Sequence, residues 1–178
     1  MKRTIRRGVF ETNSSSTHSV TIREDIPSPA LKVEDDNKVH AEFDEFGWEW
    51  EHYFTAKSKL SYALTMVVET ECKRREDNTI PNFFETEGFK AINDLIKEKC
   101  KCDGVTVDSE IKVVRHMRED GEYTYIDHDG YIDHQSCEDY NSLQDFLDTY
   151  GVTLEQFIFD EHVILNTGND NDGPDVDY

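Results

Sequence analysis

Cysteine is scarce in this chain, and what there is forms no framework. The four cysteines in 178 residues are Cys72, Cys100, Cys102 and Cys137. Cys100 and Cys102 are too close for an ordinary disulfide and do not match the Cys-x-x-Cys spacing of zinc and redox motifs. No apolar run follows the charged start Met1-Lys2-Arg3-Thr4-Ile5-Arg6-Arg7, so no secretion signal is read there. The cysteines are therefore expected to be thiols, and the expected location is the cytoplasm of the cell that makes the protein. No stretch approaches the ~20 consecutive apolar residues of a membrane span. Apolar residues make up only 36% of the chain, yet they include ten Phe, eight Tyr and two Trp. Large rings bury much area each, so a sparse core can still hold, and a disordered chain is excluded.

The other scarcity is of positive charge. Nineteen Lys and Arg face thirty-nine Asp and Glu, for a formal net charge of −20. The imbalance is local. Residues 1–32 carry net +3, residues 33–56 net −7, residues 57–102 net +1, and residues 103–178 net −17, with three basic side chains against twenty acidic ones. A one-sided field of this size repels nucleic acid, steers a basic partner and imposes a folding cost by self-repulsion. The charge therefore implies a basic protein partner, with direct nucleic-acid binding not expected of most of the surface.

Periodicity predicts a single α+β domain over residues 1–167, with a mostly antiparallel sheet, three to four helices, and an acidic flexible tail over 168–178. Short strands are expected at 4–10 and 18–23, with a hydroxyl-rich turn at 12–19 between them and a charged loop at 24–38. Around Trp48-Glu49-Trp50-Glu51 the alternation is strand-like. Leu60, Leu64, Val67 and Val68 mark one face of a helix over 57–75, and Phe89, Ile92, Leu95 and Ile96 mark another near 85–100. Strands follow at 105–107, 111–114 and 123–126. Asp127-His128-Asp129-Gly130 is expected to turn the chain tightly into Tyr131-Ile132. Asn141 or Ser142 caps a helix ending at Gly151, Thr153 caps a short one through Phe159, and Val163-Ile164-Leu165 forms a last buried strand beside the N-terminal one.

Three groups of residues are candidates for chemistry. The hydroxyl run at 12–19, with His18, lacks a phosphate-loop pattern and reads as a turn whose Ser and Thr satisfy backbone groups. His128, Asp129, Asp133, His134 and Cys137 form a metal-like cluster if His128 and His134 face each other across a hairpin. The spacing matches no established metal motif, so His128, His134 and Cys137 are weak metal candidates, and no metal or other cofactor is expected. Finally, Glu49 and Glu51 alternate along a strand, and Asp127, Asp129 and Asp133 cluster near the turn. Carboxylates at i, i+2 on a strand lie ~6–7 Å apart, close to the spacing of nucleic-acid phosphates. These five are the candidate partner-binding residues, and Arg3, Arg6 and Arg7 form a possible nucleic-acid contact.

The opening Arg6-Arg7-Gly8-Val9-Phe10-Glu11-Thr12-Asn13-Ser14-Ser15-Ser16-Thr17-His18-Ser19 resembles the start of small proteins from bacteriophages and mobile elements of Firmicutes. Similar proteins include anti-CRISPR inhibitors of type II-A RNA-guided nucleases. The resemblance covers about fourteen residues and implies an origin in a phage or mobile element. It also implies a non-enzymatic inhibitor whose partner is a type II CRISPR effector nuclease carrying its guide RNA. The rival expectations are a phage metal-dependent hydrolase using His128, Asp129 and His134, with His18 as a further candidate, and an acidic phage protein that binds another basic host factor.

Overall fold

The computed structural model describes residues 3–4, 16–22, 30–48, 50–72, 80–118, 121–133 and 140–169. Within them the chain forms an α+β domain of four helices and several small, mostly antiparallel sheets around one core. No helix among these residues is long and apolar enough to cross a membrane.

The helix expected at 57–75 is α1, Ala56–Glu71, and it is the axis of the domain. Thr55 caps it by accepting from the Ser58 N–H. The sequence suggested one apolar face, but α1 is buried nearly all round, with Leu60, Tyr62, Leu64, Met66 and Val67 fully enclosed. Its small polar residues permit this. Thr65 and Thr70 donate to the carbonyls of Ser61 and Met66 one turn back, so their hydroxyls enter the core satisfied. Helix α2, Glu87–Cys100, follows a 3-10 turn at Phe83–Glu85 and is capped by the Thr86 hydroxyl. Helix α3, Leu143–Tyr150, starts at the Ser142 cap and ends at Gly151, and α4, Leu154–Phe159, starts with a capping box between Thr153 and Gln156. Phe146 and Phe157 bring these last two helices against Tyr62 of α1.

The main sheet has the order β1-β2-β10-β5, all antiparallel, with β1 at Arg3–Thr4, β2 at Ser16–Ile22, β5 at Glu51–Tyr53 and β10 at Val163–Asn169. The last strand does lie beside the N-terminal one, with Leu165 opposite Val20. A side-chain ladder pins the register. His52 Nδ1 meets Asn166 Oδ1 at 2.7 Å, and the Asn166 amide donates to the Ser19 carbonyl at 3.2 Å. Two of the sequence boundaries move. Ser16 to Ser19 belong to β2, so the hydroxyl-rich segment is strand from Ser16 onward; residues 12–15 lie outside the described residues. Strand β10 continues through Asn169, so Gly168 is in the sheet, where the Trp50 ring lies too close for any side chain at that position.

The remaining strands are β3 (Val39–Ala41), β4 (Glu45–Phe46), β6 (Val105–Val107), β7 (Ile111–Arg118), β8 (Gly121–His128) and β9 (Tyr131–Ile132). β3 pairs with β6 and β4 with β9, both in parallel, while β7 and β8 form an antiparallel ribbon. The strand expected around Trp48–Glu51 is interrupted: it splits into β4 and β5 on either side of Gly47–Trp50. The expected tight hairpin at 127–130 is also corrected. β8 pairs back with β7, and the chain after Gly130 crosses to lie beside β4.

Candidate functional site

That crossing makes the site. Tyr131 N–H donates to the Asp44 carbonyl and Asp133 N–H to the Phe46 carbonyl, each at 3.0 Å. In this pairing Phe46 and Ile132 both point inward and are completely buried, so their neighbours Glu45 and Tyr131 share the outward side. The two acidic stretches chosen from the sequence, 43–54 and 127–133, are therefore held together by one two-strand contact. Asp44, Glu45, Asp129 and Asp133 gather along it.

Glu51 joins from β5. Its carboxylate accepts the Tyr53 hydroxyl, and the Tyr53 ring packs on Phe46. Burial, then the Glu51 contact and the Asp44 charge raise the Tyr53 pKa, so the phenol stays protonated. Asp129 has a structural duty: its carboxylate accepts the Glu110 N–H at 3.0 Å, joining the β8–β9 turn to the start of β7. Asp127 faces Lys112 across the ribbon. The Lys112 ammonium lies 2.5 Å from Glu110, and that contact, with the charges of Asp127 and Asp129, raises its pKa. One lysine thus offsets part of the charge at the ribbon's base. Glu49 lies outside the described residues.

Of the metal-like cluster, His128, Asp129 and Asp133 lie within the described residues. His128 sits opposite Ile111 on β7, and its ring turns inward against Phe43. Its Nδ1–H donates to the Asp129 carbonyl at 2.8 Å, which leaves Nε2 facing Glu69 of α1 at 3.7 Å. His134 and Cys137 lie outside the described residues, and among those residues no three His, Cys, Asp or Glu side chains are grouped to hold a metal ion. Cys72, Cys100 and Cys102 are free thiols; Cys102 donates to the Ile96 and Gly104 carbonyls at the end of α2. Arg3 is on β1, at the opposite edge of the main sheet from Glu51, and His18 is on β2 opposite Thr167. Arg6 and Arg7 lie outside the described residues.

Glu69 is the residue that sequence reasoning missed. Burial raises its pKa, opposed by His128 and by the Ile132 backbone N–H that its carboxylate accepts. The folded state thus holds this proton to higher pH than the unfolded chain does, so stability falls as pH rises from the ordinary carboxylate range through the folded pKa. Glu69→Gln keeps an acceptor for Ile132 and removes the titration. The melting temperature of the variant is therefore expected to gain on that of the wild type between pH 4 and pH 7, whereas parallel melting-temperature profiles would refute the buried-carboxylate account. A second missed residue is His40, held between Asp36 at 3.1 Å and Asp108 at 3.0 Å, with its pKa raised by the two carboxylates.

Away from this face, a cleft of about 790 Å³ opens where the end of α1 meets the starts of α2 and α3, between Glu71, Thr86, Ser142 and Leu147. Its α2 helix end already has an anion, because the Gly88 N–H donates to Glu71 at 3.0 Å. No family model matches the chain, and no curated protein or solved structure matches it.

Proposed function

We propose that this protein is a non-enzymatic, phage-encoded inhibitor that binds a type II CRISPR effector nuclease, with carboxylates occupying positions meant for nucleic-acid phosphates. The observation that carries the reading is the β4–β9 contact, which gathers Asp44, Glu45, Asp129 and Asp133 from the two acidic stretches onto one part of the surface. A nuclease that holds a guide–target duplex in a basic channel presents Lys and Arg to any polyanion that fits, and a net charge of −20 speeds the encounter. The resemblance of residues 6–19 to phage proteins that include such inhibitors points to the same class of partner.

The test is DNA cleavage by a type II effector as a function of protein concentration, at low and moderate salt. Neutralising Asp127, Asp129 and Asp133 together, or Glu49 and Glu51 together, is expected to raise the half-inhibitory concentration about tenfold at low salt, from several contacts each worth a few tenths to one kcal/mol. The loss narrows as salt screens the wild type over a Debye length of ~8–10 Å. Made as Asp→Asn and Glu→Gln changes, which keep an oxygen acceptor for the Glu110 N–H and the Tyr53 hydroxyl, the variants should hold or raise the melting temperature, because like-charge repulsion is relieved. Unchanged inhibition curves for both variants would remove mimicry at these positions. A wild-type protein that inhibits no effector would overturn the reading in favour of another basic host factor.

A further inference from the structure

The outward side of the β4–β9 contact carries rings as well as carboxylates. Trp48 is 58% exposed, an unusual position for so large an apolar surface. Its ring lies 5.9 Å from that of Tyr131, tilted by 31°. Tyr131 donates through its hydroxyl to Asp133 at 3.4 Å, and Glu45 is its neighbour across the strand pair. An exposed indole resting against a second ring that has two carboxylates beside it is poorly explained by solubility, which the carboxylates alone would supply. It fits a cation that also has a flat face.

We propose that Trp48, backed by Tyr131 with Asp133 and Glu45 beside it, is an anchor for an arginine side chain of the basic protein partner. This deepens the proposed function and rests on its premise of a basic protein partner. The negative face of an indole attracts a cation placed over it, and the attraction grows as water is excluded on docking. The rings are too close together to sandwich an ammonium, so the cation lies on the open face of Trp48. A planar guanidinium can stack flat on that face, with the carboxylates beside Tyr131 adding attraction through their charge; the compact, strongly hydrated ammonium of lysine has no face to stack. Tryptophan and arginine are also the residues that most often dominate interface energies.

The experiment titrates the full-length protein with hexa-arginine and hexa-lysine peptides at physiological salt, following the Trp48 indole N–H by NMR and the affinity by calorimetry. Wild type should bind hexa-arginine more tightly than hexa-lysine, with the Trp48 signal shifting. Trp48→Ala should weaken hexa-arginine binding about 2- to 5-fold, the range of an exposed cation–π contact, and abolish the preference. Trp48→Phe, which keeps a ring, should recover part of it, and Asp133→Asn, which removes only a nearby charge, should weaken both peptides alike. Equal binding of the two peptides by wild type, or Trp48→Ala indistinguishable from wild type, would overturn the anchor and leave diffuse charge attraction in its place. That failure is separable from the failure of the inhibitor reading. A wild type that blocks an effector while Trp48→Ala blocks it equally well keeps the function and loses the anchor. The converse, an arginine preference without nuclease inhibition, keeps the anchor and changes the partner.

Discussion

Gly130→Val is expected to destabilise the protein by about 3–5 kcal/mol, from backbone strain and overpacking acting together. Gly130 has φ of 77°, a region that β-branched residues essentially avoid. A side-chain carbon there would come within 2.6 Å of Phe43 Cβ and 2.7 Å of the Asp44 nitrogen. The second contact is with backbone, so no rotamer change relieves it; β4 and the β8–β9 turn must move apart. In a domain of this size each kcal/mol lowers the melting temperature by ~2–4 °C, so a drop of about 10 °C or more is expected. Gly151 supplies the comparison. It too has positive φ, 67°, as the left-handed end of α3, but nothing lies within 4 Å of the place a side chain would take. Gly151→Ala should therefore cost only ~1 kcal/mol, the backbone penalty alone. Thermal melts of the two variants decide the matter: equal losses would mean that the turn is not wedged against β4. Gly130→Val should also lose more inhibition per folded molecule than Gly151→Ala, because it displaces the contact that gathers the acidic face.

The second large effect concerns Lys59, a fully buried lysine in the first turn of α1. Its ammonium donates to the carbonyls of Asp160 at 2.8 Å and Val163 at 3.0 Å, tying α1 to the turn between α4 and β10. Burial lowers its pKa from 10.5 to about 8, with the Asp160 charge opposing. Between these values the unfolded chain binds a proton that the folded chain has released, so stability rises with pH across that window. Below pH 8 both states are protonated and the full cost of burying the charge is present. With allowance for partial solvent screening that cost is about 2 kcal/mol. In Lys59→Met the rise between pH 8 and pH 10 should vanish. The variant should nonetheless be less stable than wild type at pH 10, where the cost of burying the charge has nearly gone, because the buried Val163 carbonyl loses the lysine donor at about 1–3 kcal/mol, while the Asp160 carbonyl keeps the Val163 N–H. Urea melts at pH 7, 8, 9 and 10 make the comparison. A wild type and a variant that respond identically to pH would show that Lys59 keeps its ordinary pKa.

How much of this was legible beforehand differs by element. The helix ends were readable, since Ser142, Thr153 and Gly151 act through groups within a few residues, and capping is local chemistry. The central position of α1 was not. Its leucines and valines trace one face, but burial of the other faces depends on which elements pack there, and its threonines disguise buried positions as polar ones. The turn at Gly130 was recognised for its glycine and misread for its direction. Two-residue strands such as β4 and β9 carry almost no register information, so the parallel pairing is set by Phe46 and Ile132 finding the same core.

The same division holds for the site. Composition by itself determined that the chain is strongly acidic, that the acid is concentrated in two stretches, and that aromatic rings accompany the first of them. Charge is a sum over residues and needs no fold. Only the tertiary structure decided that Glu45 and Asp133 lie on one side of one strand pair, that Trp48 rests against Tyr131, and that His128 turns inward to Glu69. Those are distances between residues up to 88 positions apart in the chain, and they are fixed by the burial of a shared core, which no local pattern encodes.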